Sequence, residues 1–111
     1  MTRGEIWWVE VDDRRLVLVL STTDDDVRAI MIVPPAERLV DGIVEEVRLG
    51  PDDGLQSAGV VRVAFPSETF IPCNWLVTLP RHVMTERVGA LAAEKLAEVD
   101  SLLQRAGLDL V

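Results

Sequence analysis

The apolar positions along the chain form six segments with strand periodicity and one with helical periodicity. Residues 4–11, GEIWWVEV, mix β-branched and aromatic residues with polar ones. Successive strand side chains point to opposite faces, so Ile6 and Trp8, with Glu10 in register, fall on one side, and Trp7, Val9 and Val11 on the other. Residues 15–21, RLVLVLS, are a continuous apolar run, the pattern of a strand buried on both faces. Between them VDDRR reads as a tight hairpin with aspartates at the turn. After the polar loop STTDDD, residues 27–33 (VRAIMIV) predict a third strand, ended by Pro34-Pro35 because proline cannot donate to a ladder. Residues 43–49 (IVEEVRL) predict a fourth strand, followed by the turn-forming GPDDGL, and residues 59–65 (GVVRVAF) a fifth. Residues 69–79 (TFIPCNWLVTL) predict a sixth, which Pro72 confines to an edge or a bulge.

From about Thr85 the period lengthens. Val88, Leu91, Ala92, Leu96, Val99, Leu103 and Ala106 recur three or four apart, the stripe of an amphipathic helix. Thr85 is the expected N-cap with Glu86 in the first turn, and Gly107 and Arg105 suit the C-terminal end. TLPRHVM, just before, predicts a separate short helical turn. The expected fold is α+β, mainly β: a small antiparallel barrel of five or six strands with a long C-terminal helix over one side or one end. With 111 residues and no linker, residues 1–111 read as one domain.

Composition narrows the function classes. Hydrophobic residues make up 49% of the chain, too many for disorder at a net charge of −8. No apolar run approaches the roughly 18 residues of a membrane span. No apolar signal segment follows Met1, and Cys73 is the sole cysteine, which together predict a cytoplasmic location. Nineteen acidic residues against eleven basic ones oppose nonspecific nucleic-acid binding, which needs phosphate neutralisation. A local arginine-lined groove stays compatible with that sum, because the field depends on distribution.

RGEIWWV, RLVLVLS, VRAIMIVPP and the helical LAAEKLAEVDSLLQRAGL occur in the order and spacing of a known family. Together they resemble the MazF/PemK toxins, the sequence-specific endoribonucleases of type II toxin–antitoxin systems. The resemblance implies an SH3-like barrel, a homodimer, a cognate antitoxin partner, and cleavage of single-stranded RNA with neither metal nor other cofactor. In that reaction the 2′-hydroxyl attacks its own phosphate, which requires a base, an acid for the leaving oxygen and positive charge on the phosphorane. The family's catalytic arginine matches Arg15, with Arg14 adjacent. Its threonine or serine after the third strand falls on Pro35 or Ala36, neither of which carries a hydroxyl. Ser21, Thr22, Thr23, Ser67 and Thr69 are the nearest hydroxyls by sequence or by expected approach. Arg14, Trp7, Thr22, Thr23 and Ser67 are therefore the candidate RNA-binding residues beside a catalytic Arg15. The long loop that often joins the family's first two strands is reduced here to Asp12 and Asp13. Two alternatives follow: a dimeric MazF-like binding protein without catalysis, or an inhibitor of a protein target such as gyrase, as in the CcdB toxins.

The remaining chemistry-bearing residues have plainer readings beside functional ones. Trp7 and Trp8 face opposite ways, one toward the core and the other toward an interface or a stacked base. His82, the single histidine, reads as an ordinary residue at the start of the helix or as an acid–base group. Cys73 reads as a buried or half-buried thiol. The aspartates at 24–26 and 52–53 lack the alternating spacing of a calcium loop and read as solvated turns.

Overall fold

The computed structural model describes residues 1–35, 44–65 and 75–107. Strand β1 (Glu5–Val11) turns directly into β2 (Asp13–Thr22), and Val11 pairs with Asp13. Only Asp12 remains to reverse the chain, and it does so with a φ of 63°. Aspartate tolerates this left-handed conformation better than most residues. The hairpin predicted from VDDRR is thus present, and β2 begins two residues earlier than the apolar run.

β2 is buried on both faces, as its unbroken apolar sequence predicts. Leu18 and Leu20 point into the larger core, with Ile6, Ile30, Leu49, Val61, Val63 and the helix residues Val99, Leu102 and Leu103. Val17 and Val19 point into a second cluster, with Val9, Val27, Ala29 and Met84. Fully burying each such side chain is worth roughly 1.5–3 kcal/mol, so this strand anchors both clusters.

β3 (Asp26–Val33) lies antiparallel to β2 and uses its other edge twice. Its first part, Asp26 to Ile30, pairs with β6 (Leu76–Pro80), and its last two residues, Ile32 and Val33, pair with β5 (Gly59–Ala64). β4 (Val44–Leu49) extends the sheet beyond β5. The path runs β4-β5-β3-β2-β1-β7, with β7 spanning Met84–Ala90. β4 and β7 end the path without pairing to one another, so the curled sheet is open and a barrel describes it only approximately.

The principal correction concerns residues 84–92. The helical stripe predicted from Thr85 begins only at Ala93, and α1 spans Ala93–Arg105 with Ala92 as its N-cap residue. Residues 84–90 instead form β7, which pairs with β1 through Trp7–Arg87 and Trp8–Glu86. Two features explain the difference. Thr85 donates its hydroxyl to the Trp8 carbonyl (3.1 Å), so it fixes the strand rather than capping a helix. Gly89 passes close to the Asp53–Gly54 backbone, where a Cβ would run into the Asp53 carbonyl. Val88 and Leu91 still reach the larger core, which is why their spacing mimicked one helical face. Gly107 closes the helix at φ 74°, with its N–H donated to the Gln104 carbonyl (3.1 Å), as expected of a glycine there.

The short turn expected in TLPRHVM is a 3₁₀ turn at Arg81–Val83, and His82 sits exposed on it between two strands, not at a helix start. The predicted sixth strand is described only from Leu76. Its earlier part, with Pro72 and Cys73, lies outside the described residues.

Candidate functional site

β1 and β2 pair so that Trp8 faces Leu16 and Glu10 faces Arg14. Opposite residues in an antiparallel ladder share a face, which puts Trp8, Arg14 and Leu16 together. Beside them opens a cleft of about 560 Å³. Its walls are this patch of β1 and β2, the end of β3 (Ile32, Val33, Pro34), the segment from Gly54 to Gly59, and Glu86 to Val88 of β7. Strand alternation sends Arg15 to the opposite face, where its guanidinium lies 3.8 Å from Asp13.

Arg14 is the cation at the mouth of the cleft. Its guanidinium carbon lies 4.2 Å from the Trp8 ring centroid, and it donates to Glu86 across 3.2 Å. Both partners of that ion pair are well exposed, 53% and 66%. Exposed pairs contribute about 0–1 kcal/mol, so Arg14 and Glu86 can be parted at little cost. Arg87 also borders the cleft, but its guanidinium is bound to Glu5 (3.2 Å). Glu5 additionally accepts from the Trp7 indole (3.0 Å) and the Thr2 backbone N–H (3.2 Å). These bonds, the indole's first, together hold its carboxyl down at about 2 against the opposing effect of burial.

The segment opposite Arg14 is built to hold its shape. Pro51–Asp53 form a 3₁₀ turn, whose Asp53 carboxylate accepts the Gly50 N–H (2.9 Å) and the Lys95 ammonium from α1 (3.0 Å). Asp53 is 4% exposed, so the lysine partner is needed to keep its charge satisfied. Gly54 takes a φ of 95° that L-residues rarely adopt, and Leu55 is buried in the core. Gln56, Ser57 and Ala58 follow immediately, exposed on the cleft wall.

The expected site residues are therefore divided. Arg14 lies in the cleft; Arg15 and Trp7 lie on the other face of the sheet. Thr22 ends β2, about 26 Å from Arg14 at ~3.3 Å per residue, and Thr23 follows it. The Thr23 hydroxyl is held in the β2–β3 turn by Asp26 (3.0 Å to its N–H). Ser67 and Thr69 lie outside the described residues, as does Ala36. Pro34, just before the expected hydroxyl position at Pro35 or Ala36, lines the cleft. Gln56, Ser57 and Glu86 were missed. GPDDGL signals only a turn, and the apolar periodicity places Glu86 in a helix that starts seven residues later. Trp8, paired with Trp7 in the sequence reading, is the tryptophan that meets the cleft.

A second cleft, of about 630 Å³, lies between β4 and α1. Glu45, Glu46, Glu94 and Glu98 line it, and its Arg105 is bound to Glu45 (2.7 Å). That lining repels phosphate, so the Arg14 cleft is the one suited to a polyanion. Among the described residues, no three His, Cys, Asp or Glu side chains converge as a metal-binding group, and no helix is long and apolar enough to cross a membrane.

Among solved structures, the chain is similar to an endoribonuclease in complex with its cognate antitoxin from a mycobacterial species. The TM-score is 0.64 at 16% identity, over 100% of this chain and 97% of that one. It is also similar to the Mycobacterium tuberculosis toxin MazF-mt6, with a TM-score of 0.64 at 22% identity, over 95% of this chain and 98% of that one. At these identities the likeness establishes the fold. No curated protein matches significantly by sequence. The model of the PemK-like, MazF-like toxins of type II toxin–antitoxin systems matches residues 2–106, nearly the whole chain, and the protein belongs to that family.

Proposed function

We propose that this toxin is a single-domain cytoplasmic endoribonuclease that cuts single-stranded RNA in the Arg14 cleft and is neutralised by a cognate antitoxin. The observation that carries the reading is Arg14 itself: an exposed guanidinium beside Trp8, on a cleft wall shared with a carboxylate. The fold is that of an endoribonuclease solved with its antitoxin, which supports both the activity and the partner.

The reaction follows from the groups present. The RNA 2′-oxygen attacks the adjacent phosphorus while the bond from phosphorus to the 5′-oxygen breaks, leaving a 2′,3′-cyclic phosphate and a free 5′-hydroxyl. Arg14 contacts the phosphate oxygens and stabilises the charge gathered on the phosphorane; one such donor contributes on the order of 100-fold in rate. Glu86, released from Arg14 by the phosphate, accepts the 2′-hydroxyl proton, and water in the open cleft protonates the leaving 5′-oxygen. Arg15 adds positive potential at the same end of the sheet without touching the scissile phosphate.

The dimer expected of the family has a suitable surface. The second cluster, around Val17, Val19 and Val27, is one layer thick among the described residues. Its outer side is finished by half-buried Trp7, Met31, Val77 and Leu79. A second copy placed there buries these side chains, and brings Arg15 near the seam.

Induced expression followed by transcriptome-wide mapping of new 5′ ends tests the reading. Discrete cuts that carry 5′-hydroxyls and disappear with Arg14→Ala are the expected result. Intact RNA in cells arrested by the wild-type protein would favour a binding toxin without catalysis.

A further inference from the structure

The cleft contains two kinds of polar side chain. Arg14, Glu86 and Arg87 are engaged with Trp8, with one another or with Glu5. Gln56 and Ser57 make no hydrogen bond through their side chains among the described residues. Yet the segment carrying them is fixed from behind by Asp53–Lys95, by the Gly50 N–H and by buried Leu55. Rigid backbone carrying unengaged polar groups into a cleft is the arrangement of a preorganised ligand contact, because little freedom remains to be lost on binding.

Leu16, Ile32 and Pro34 line the same cleft and supply an apolar surface against which a planar ring can lie. The primary amide of glutamine is the neutral side-chain group that presents a donor and an acceptor side by side. Its oxygen accepts from an exocyclic amino group while its nitrogen donates to a ring nitrogen. Adenine offers that pair on two edges, N6–H with N7 and N6–H with N1, where cytosine and guanine each offer it on one.

We infer that Gln56 is a specificity-determining residue, reading one unstacked nucleobase, adenine, next to the phosphate held by Arg14. The inference rests on the proposal that RNA occupies this cleft. It assigns to a particular residue the sequence preference that a phosphate contact cannot supply, since phosphates are identical at every position. Ser57 then has the simpler part of bonding sugar or phosphate on the same strand.

The test separates recognition from cutting. A randomised 2′-O-methyl RNA pool, in which the attacking hydroxyl is blocked, is selected on wild-type protein and on Gln56→Ala and sequenced. Wild-type protein is expected to enrich adenine at one position. Gln56→Ala is expected to lose that enrichment by roughly tenfold or more, while its affinity for the pool falls less than with Arg14→Ala. Gln56→Glu, an acceptor without the amide donor, is expected to lose adenine and turn toward cytosine. Enrichment of the same base to the same degree by Gln56→Ala would overturn the assignment, as would a wild-type protein that enriches no base. Cleavage of unmodified RNA, followed in parallel, reports on the ribonuclease reading by itself. Base selection without cutting would refute that reading and leave the assignment of Gln56 standing.

Discussion

The two faces of the central sheet are finished in different ways. The face carrying Leu18 and Leu20 is covered by α1, β4 and β5, and a cleft opens beside Arg14. The face carrying Val17 and Val19 has no second layer among the described residues; long half-buried side chains close it. Adjacent residues of β2 therefore enter different chemical settings. Arg14 meets an aromatic ring, a carboxylate and a cavity, whereas Arg15 meets Asp13 and solvent. A motif that names one arginine of such a pair is a statement about a face as much as about a residue.

The contrast can be broken most forcefully from the covered side. Leu18→Ala removes a fully buried side chain from beneath the helix and is expected to cost about 2–5 kcal/mol in urea denaturation. Gly89→Ala drives a methyl group into the Asp53 backbone, where neither strand nor turn has room to yield. A loss of about 1–3 kcal/mol is expected, with RNA affinity lowered beyond what the stability loss explains, because the Gln56 segment moves with the turn. On the open face, Leu79→Arg is expected to cost only about 1 kcal/mol of folding stability, since the site is half-exposed. It should nevertheless shift the sedimentation profile from dimer to monomer. An unchanged dimer would place the second copy elsewhere.

The smallest effect is a pH dependence on the same open face. The Glu5 carboxyl is lowered from 4.5 to about 2 by its bonds to Trp7, Thr2 and Arg87. A depressed carboxyl stabilises the folded state while it is ionised. Its contribution is thus fully present above about pH 4.5 and is lost as pH falls toward 2. Glu5→Gln should lower the thermal midpoint at pH 6 and leave it nearly unchanged at pH 2. Equal losses at both pH values would mean that packing, not charge, accounts for the residue.

Much of this molecule is legible in its sequence, for identifiable reasons. The unbroken RLVLVLS could only be a strand buried on both sides, and proline and glycine marked the ends of β3 and α1. The misreading of residues 84–92 arose because Val88 of β7 and Leu91 just after it reach the core at a helical interval. What decides between strand and helix there is the free edge of β1, a tertiary fact. The site was half legible. Arg14 and Arg15 were visible as a pair, but which of them meets a cleft depends on strand phase set by the one-residue turn at Asp12. Gln56 left no signal, because its role comes from a turn held by Lys95, some forty positions away in the chain.

The central claim is that Arg14, rather than Arg15, contacts the scissile phosphate. Single-turnover cleavage of one short RNA by purified Arg14→Ala and Arg15→Ala, each confirmed as folded dimer, measures it directly. The account predicts a rate loss on the order of 100-fold for Arg14→Ala and less than about tenfold for Arg15→Ala. The opposite order, with Arg15→Ala the deeper loss, would contradict it.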